Sequence, residues 1–412
     1  MIFNTPQNNI AIALFLTTFL TACGGGSDSD SSMSTPNTND TTTDSTANSG
    51  NNSSNTTIDE PNDQPSNNDI TQNNTHTTVG GNDAKAALIA NNEFSIARTS
   101  CGLGGLAPDT SLDSIAIKHA NYIKYVFANS SPTSFNAHYE NKIADIANVT
   151  SNSNPFFSGL SFTDRLTAAN YGDLKHSAVE NIGQSTYYSS AGNLVSSDTA
   201  ASSMAKSLLA APYHLRSLMR PSSSLTGTGV VTYQPYNKDV VNNRGYVLVN
   251  HAAATQASKD KAVEGVFTYP CQSVTGTMTA LYNETPDPVK HTGRNLRLDP
   301  IGQPVYISMP SAKTIVVSNV RFYDVERNVD VPVELLDHRQ DPYVNTINAL
   351  PANEAFILPI TDSLKSCEIT SKKDKNCGLY GNSEYRVSFD LLVDNKTVES
   401  KSFTFTTGAV NY

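Results

Sequence analysis

The stretch that most restricts the folding of this chain runs from residue 24 to residue 81. It consists largely of Ser, Thr, Asn, Asp and Gly, with almost no large apolar side chains. Such a segment cannot bury enough apolar surface to offset the entropy lost on ordering, so we expect it to be disordered. It carries eight acidic residues and no Lys or Arg, so the formal net charge of −10 leaves only about −2 for the rest of the chain.

The residues before this segment have the pattern of a lipoprotein signal peptide. Residues 10–20 are mostly apolar and run into a lipobox, Leu-Thr-Ala-Cys, that ends at Cys23. The alternative, a transmembrane helix, would need about 20 apolar residues, and this run is shorter. We predict a signal peptide over residues 1–22 and, over residues 23–81, an acylated Cys23 followed by a disordered tether. Because Gly24 follows the cysteine, the sequence resembles outer-membrane lipoproteins, and we expect a cell-envelope protein that faces the periplasm or the outside.

Four cysteines remain if Cys23 is acylated, and an oxidising compartment favours their pairing. They are Cys101, Cys271, Cys367 and Cys377, which allow three pairings. We favour Cys367–Cys377, which closes a short loop between strands, and Cys101–Cys271, which joins the first helix to the segment that leaves the first domain. A metal site is the alternative, but the sequence has no Cys-x-x-Cys spacing.

The residues after the tether exceed one ordinary domain, and we predict two. The first, residues 82–265, should contain helices packed on a sheet. Its predicted helices are 84–98, with an apolar stripe of Leu88, Phe94 and Ile96, and four more that begin near residues 110, 162, 197 and 212. Two apolar, β-branched runs, 229–233 and 245–250, predict adjacent central strands.

The second predicted domain, residues 266–412, has short strands separated by Pro, Asp and Asn. The predicted strands are 305–309, 314–323, 331–336, 355–358, 385–393 and 398–406. Apolar and polar residues alternate in the last two, as in half-buried strands. No helical pattern interrupts them, so we predict an all-β, Ig-like sandwich and an α+β fold class for the whole chain.

Composition and missing motifs argue against several functions. Lys and Arg are scattered, apart from a basic run at 371–375 in a predicted loop, so we expect no nucleic-acid partner. No Gly-rich phosphate loop follows a strand, so we expect no nucleotide. No Gly-x-Ser-x-Gly turn is present, which argues against a serine hydrolase.

Several short motifs lie in a characteristic order between residues 84 and 250. They are Gly102-Leu103 and Leu106, His119-Ala120-Asn121-Tyr122, His138-Tyr139, Asp164-Arg165-Leu166 with Ala169-Asn170-Tyr171, Glu180-Asn181-Ile182, Pro212-Tyr213-His214, and Gly227-Thr228-Gly229. In this order they resemble the CAP superfamily, the cysteine-rich secretory, antigen 5 and pathogenesis-related proteins, in its bacterial branch. The resemblance covers about half of the predicted folded region. It implies an α-β-α sandwich with a cleft in which two His and two Glu face each other and, in some members, bind a divalent metal.

Three residues match that set of four: His138, Glu180 and His214. The second glutamate would fall near Ala211, where no acid is present. Two imidazoles and a carboxylate could hold Zn²⁺ with a water in an open position, as in a metal-dependent hydrolase. The alternative is a cleft that requires no cofactor, in which Glu180 accepts hydrogen bonds and only stabilises the fold.

Other polar residues have simpler interpretations. His119 lies on the buried face of the second helix and should be a satisfied core histidine. His176 and Glu140 are near enough in sequence to be extra ligands, but we expect both in exposed loops. Residues 337–341 should form a polar loop, and residues 284–288 resemble the segment that follows the CAP domain in bacterial two-domain proteins.

Three functions remain open. The leading hypothesis is a non-enzymatic, envelope-anchored module that binds a lipid or a cell-wall component. The alternative is a metal-dependent or acid-base hydrolase that uses His138, Glu180 and His214. The third is an adhesive protein in which the β-sandwich acts as an adhesion or spacing module. All three include a membrane partner through the lipid anchor.

Overall fold

The computed structural model describes residues 19–23, 83–172, 177–259, 264–366 and 376–410. Several predictions fall outside the described residues: the signal peptide up to residue 18, the tether, His176, Cys367 and the basic run at 371–375. The described ranges contain both helices and several sheets, which confirms the mixed α+β class.

The helices are α1 (Ala84–Ser100), α2 (Thr110–Asn129), α3 (Phe162–Ala168), α4 (Ser197–Leu208), α5 (Pro212–Leu218) and α6 (Gln256–Lys259). The strands are β1 (Phe19–Cys23), β2 (Ala107–Pro108), β3 (Val179–Tyr188), β4 (Leu225–Tyr233), β5 (Asn243–Ala253), β6 (Phe267–Tyr269), β7 (Thr275–Thr277), β8 (Val305–Ser308), β9 (Ile315–Asp324), β10 (Val329–Val331), β11 (Val333–Asp337), β12 (Glu354–Pro359), β13 (Glu384–Val393) and β14 (Thr397–Thr407). A short 3-10 helix covers Lys290–Thr292.

The first sheet has the strand order β1-β3-β5-β4-β2. The predicted neighbours 229–233 and 245–250 are β4 and β5, which form an antiparallel ladder, so that prediction is confirmed. The sequence analysis did not predict β3. Its polar residues Glu180, Asn181 and Gln184 interrupt the apolar pattern of a strand, although all three are buried.

Helices cover both faces of this sheet. On one face α2 lies directly on β4, because two glycines leave room for it: a Cβ on Gly227 would lie 2.2 Å from the backbone of Leu112, and one on Gly229 would lie 2.7 Å from that of Ile117. On the other face, α1, α4 and α5 share an apolar core with Val230 and Leu248. Helices therefore pack on a sheet in the first part of the chain, as predicted.

Strand β1 lies at the edge of this sheet and pairs antiparallel with β3, with Cys23 opposite Glu180. It coincides with the end of the predicted signal peptide. Cleavage before Cys23 would therefore remove four of its five residues. Within the described ranges, no helix has both the length and the apolar character needed to cross a membrane.

Two further sheets form the C-terminal part, in the orders β10-β9-β13-β14-β7 and β11-β12-β8-β6. Ile307 and Ile357 of one sheet pack with Phe322 and Val387 of the other in a common apolar core. The predicted strand 331–336 is divided at Pro332 into β10 and β11, which belong to different sheets. Proline has no N–H to donate to a ladder, which explains the division.

One apolar cluster extends across the predicted domain boundary at residues 265 and 266. It joins Phe94 and Leu248 of the first part to Leu281, Tyr306 and Phe356 of the second. The boundary itself stays a prediction, but the two parts share this buried core.

A disulfide crosses the same boundary. Cys101, at the C-terminal end of α1, is bonded to Cys271, with a Cα–Cα distance of 5.6 Å. This confirms the predicted pair and the two segments that it joins. Cys377 is also disulfide-bonded, and its predicted partner Cys367 lies outside the described residues.

Candidate functional site

Glu180 of β3 is held in a buried polar cluster on the α2 side of the first sheet. Its Oε1 is 2.8 Å from Nδ1 of His138, and its Oε2 is 2.9 Å from Nε2 of His251. Arg165 of α3 donates from Nη2 to both carboxylate oxygens, each at 2.8 Å. None of these four side chains is more than 4% exposed. Three neighbouring side chains thus satisfy the carboxylate.

These neighbours set the charge of Glu180. Burial alone would raise the pKa of its carboxyl, but the charges of Arg165 and His119 and the hydrogen bonds from His138 and His251 hold that pKa well below its ordinary value. Glu180 is therefore ionised. Because a general base works best with a pKa near the working pH, a carboxyl with so low a pKa is a weak base.

A second carboxylate, that of Glu140, lies beside this cluster. Its Oε1 is 2.9 Å from Nδ1 of His119, and its Oε2 accepts backbone N–H groups from Ser158 at 2.7 Å and Gly159 at 3.3 Å. The Nε2 of His119 is 2.7 Å from the carbonyl oxygen of Ala137, which can only accept. Nε2 of His119 therefore donates to this carbonyl, and its Nδ1 faces the Glu140 carboxyl.

The surroundings of these two residues confirm one prediction and correct another. His119 is a satisfied core histidine, as its place on the buried face of α2 indicated. Glu140 is fully buried, so its predicted exposure was wrong. The reason is that its carboxylate binds both His119 and the backbone at residues 158 and 159, which draws it into the core.

His251 belongs to the cluster, and the sequence analysis missed it. It lies on β5 directly opposite Glu180 in the strand register. Burial lowers the pKa of His251 despite the hydrogen bond to Glu180, so the ring is neutral and donates from Nε2. Its Nδ1 has no hydrogen-bond partner among the described residues. A signal for His251 exists only in the register of β3 and β5, which a single sequence does not reveal.

His214 of α5 has an acid partner that the sequence analysis also missed, Glu284. The Oε1 atom of Glu284 accepts hydrogen bonds from the backbone N–H groups of Tyr213 at 2.9 Å and His214 at 3.1 Å, and it is 3.0 Å from Nδ1 of His214. The N-cap residue Ala211 provides no side-chain cap. Glu284 therefore satisfies the free N–H groups of the first turn of α5. Burial raises the pKa of Glu284, although His214 partly offsets this.

The two His–Glu pairs lie on opposite faces of the sheet at β3. Neighbouring residues of a strand point to opposite faces, so Glu180 and Asn181 face different layers. Arg165 of α3 binds Glu180, whereas Ser217 of α5 donates to Asn181. The structure thus brings His138 and Glu180 together and places His214 in a separate pair with Glu284.

A zinc site does not fit this arrangement. The Nδ1 of His138 and the Nε2 of His251 are both engaged with the Glu180 carboxylate, and Arg165 adds a positive charge to the same oxygens. In the described ranges, no group of three or more His, Cys, Asp or Glu side chains could hold a metal ion. Protein groups, rather than a metal, thus satisfy both oxygens of the Glu180 carboxylate.

A more accessible cavity, of about 280 Å³, lies on the same side of the sheet near the end of α2. We call it the aromatic pocket; its lining includes Phe127, Phe135, Pro132, Tyr233, Pro235 and Tyr236. The rings of Phe127 and Phe135 meet edge to face with 5.0 Å between centroids. Gln184 donates to the Tyr233 hydroxyl at 2.7 Å, and the exposed Lys238 lies at the rim. The pocket therefore joins an apolar wall to a few polar groups, as small-molecule sites usually do.

No protein-family model and no curated protein matches the sequence. Membership of the CAP superfamily therefore stays a prediction that rests on the order of its motifs.

The described residues offer two kinds of chemistry. The His, Glu and Arg cluster is buried, and both oxygens of its Glu180 carboxylate are bound by neighbouring side chains, which suits a role in stability. The aromatic pocket is open to solvent and can take up an apolar group. These properties favour binding over bond cleavage.

Proposed function

We propose that this protein is an envelope-anchored, CAP-like lipoprotein that binds an amphipathic lipid without transforming it. The observation that carries the proposal is the state of Glu180: a buried carboxylate fully engaged by Arg165, His138 and His251. An active site needs groups that are free to react with a substrate, and these groups are committed to one another.

The hydrolase alternative has less support. It needs His138, Glu180 and His214 to act on one substrate. His214, however, lies on α5 at the opposite face of β3, where it is paired with Glu284. It also needs a base with a pKa near neutrality, whereas the pKa of Glu180 is held well below its ordinary value despite burial.

The aromatic pocket supports the choice of a lipid over a polar wall component. Its walls include half-buried Phe127 and Phe135, which offer apolar surface to an acyl chain. At its rim, Lys238 forms no ion pair with a described residue and can bind an anionic head group. Apolar contact and one rim charge together match a molecule with an acyl tail and an acidic head.

The anchor supports the same proposal. An acylated Cys23 would keep the module near a membrane, and a tether of this length would reach about 40 Å from it. A lipid-binding module would then remain close to its ligand and move freely around its point of attachment.

Binding of a fluorescent fatty-acid analogue, 11-(dansylamino)undecanoic acid, to the purified full chain tests the proposal. We expect saturable binding that Phe135→Asp weakens at least tenfold. The introduced carboxylate removes apolar surface that the acyl chain would contact and repels the anionic head group. Leu160→Asp is the matched control, since Leu160 is 51% exposed and does not line the pocket. Equal affinity in Phe135→Asp and the wild type would refute this site.

A substrate panel tests the alternative. Peptide, ester and glycan substrates should give no turnover above the buffer blank. Turnover that disappears in His138→Gln while the melting temperature is retained would support the hydrolase and overturn the binding proposal.

A further inference from the structure

A second cavity, of about 190 Å³, lies between α5 and the β-sheet that contains β8 and β12. We call it the arginine pocket and define it by Arg216 and Arg220 of α5 and the turn that follows it, Tyr306 of β8, Glu354 of β12 and the loop residue Asn348. It is separate from the aromatic pocket and lies on the other face of the first sheet.

The charges of the arginine pocket do not balance. Arg216 donates from Nε to Glu354 at 2.6 Å, which neutralises one guanidinium. Arg220 donates from Nη1 to the backbone carbonyl of Ser177 at 3.1 Å, and no described carboxylate lies within ion-pair distance of it. Two cations and one anion leave one positive charge at the cavity wall.

The surroundings of Arg220 are unfavourable for a lone cation. Burial lowers the pKa of its guanidinium, and the like charge of Arg216 lowers it further, while Glu354 offsets only part of this. The guanidinium nonetheless keeps its proton, because arginine does not deprotonate in proteins. An anion in the cavity would remove the imbalance.

Two neutral donors also line the cavity without a partner. The Tyr306 side chain is fully buried, and its hydroxyl forms no hydrogen bond of acceptable geometry, although Ser308 and Glu354 are its neighbours. The side-chain amide of Asn348 forms no hydrogen bond with a described residue. A buried donor without a partner is costly, so the Tyr306 hydroxyl favours an acceptor in the cavity, and the half-buried Asn348 amide can donate to the same acceptor.

We propose that the arginine pocket binds a carboxylate. One uncompensated guanidinium matches one negative charge, and Arg with a carboxylate forms strong, often bidentate hydrogen bonds. The Tyr306 hydroxyl and the Asn348 amide add neutral donors to the same acceptor group. The cavity has room for about six water molecules at ~30 Å³ each. It therefore accepts a small carboxylic acid or the acidic end of a larger molecule.

A matched pair of probes tests this site: propionate, and propionamide as its uncharged equivalent. Arginine side-chain N–H signals of the ¹⁵N-labelled full chain report binding residue by residue. We expect propionate to shift the Arg220 signal saturably and propionamide to leave it unchanged. Inorganic phosphate is the third probe. Binding tighter than that of propionate would assign the pocket to phosphate and overturn the carboxylate proposal.

Variants separate binding from folding. Arg220→Gln should weaken propionate binding at least tenfold, whereas Arg386→Gln, an exposed arginine on β13, should leave it unchanged. Tyr306→Phe keeps the ring and removes only the hydroxyl, so it tests the site even if Arg220→Gln does not fold. We expect it to weaken propionate binding three- to tenfold. The proposal would be refuted if propionate caused no saturable shift in the wild type, or if both pocket variants bound propionate as tightly as the wild type does. Fatty-acid binding in the aromatic pocket is measured separately and can fail or succeed independently.

Discussion

The carboxylate of Glu284 caps α5 through the backbone and side chain of His214, a residue 70 positions earlier in the chain. A short helix whose own N-cap residue is Ala211 thus depends on an acid from the C-terminal part. The same contact supplies His214 with the acid partner that no residue near Ala211 can provide.

Replacing Glu284 with Ala should lower the free energy of unfolding. The substitution removes the acceptor of two buried backbone N–H groups and the contact with Nδ1 of His214, at a cost of about 1–3 kcal/mol. Urea denaturation at pH 7 measures it. Glu399→Ala, on β14, serves as the control and should change stability by less than about 0.5 kcal/mol. A loss no larger than the control's would mean that Glu284 does not cap α5.

The stability that Glu180 provides should depend on pH. Its pKa in the folded protein lies below the ordinary value of 4.5, so its contribution is complete above that value and is lost as the pH falls through the folded pKa. Glu180→Gln removes the carboxylate that Arg165 binds at 2.8 Å and leaves Glu140, 3.9 Å away, as the nearest counter-ion. The substitution should cost up to about 3–5 kcal/mol at pH 7. Urea denaturation of both proteins between pH 3 and 7 should give a difference that shrinks in acid. A difference that is constant with pH would contradict the ionised state.

The contact between α2 and β4 should depend on the absence of a side chain at Gly227. A Cβ there would lie 2.2 Å from the backbone of Leu112, so Gly227→Ala must push the helix from the sheet and should cost at least about 1–3 kcal/mol. Gly104→Ala is the matched control, because a Cβ at that position would meet nothing within 4 Å. Thermal unfolding should show a clearly lower melting temperature for Gly227→Ala than for Gly104→Ala.

The Cys101–Cys271 disulfide should contribute strongly to stability, because its two residues are 170 positions apart. In the loop-entropy model such a crosslink stabilises by about 5 kcal/mol. The double variant Cys101→Ser/Cys271→Ser, measured by urea denaturation without reductant, isolates this bond from that of Cys377. If the double variant lost less than about 1 kcal/mol of its free energy of unfolding, the unfolded chain would have to be restricted in some other way.

The predicted acylation of Cys23 can be tested independently of the fold. Cys23→Ser should move the protein from the membrane fraction to the soluble fraction of expressing cells, because acylation needs the thiol. Labelling with a clickable palmitate should likewise be lost. Membrane association that persists in Cys23→Ser would rule out the lipobox interpretation.

The elements that follow apolar periodicity could be predicted from the sequence. The buried face of α2 and the ladder of β4 with β5 are in this class, because each buries one continuous apolar pattern. The stripe expected on α1 was partly wrong: Leu88 and Ile96 are 59% and 61% exposed, while the helix buries several alanines instead. Small residues carry little periodic signal, although they allow helices to pack closely.

The candidate site was predictable only in part, because its members come from distant segments. The predicted residues His138 and Glu180 both belong to the buried cluster. His251 joins them only through the register of β3 and β5, and Glu284 reaches His214 only through tertiary packing. Arg165 stands in the sequence only as part of the motif Asp164-Arg165-Leu166, which does not predict its contact with both carboxylate oxygens of Glu180. The order of the motifs therefore predicted His138 and Glu180, but not the hydrogen bonds that engage them.

The apolar cluster that joins Phe94 to Phe356 makes the helical and β-rich parts mutually dependent. Cutting the chain at residue 265 would leave Tyr213 without its hydrogen bond to Asp341 and α5 without its cap. The chain should accordingly melt in one cooperative transition. If the chain is attached at Cys23 as predicted, force applied there would load both parts as a single mechanical unit.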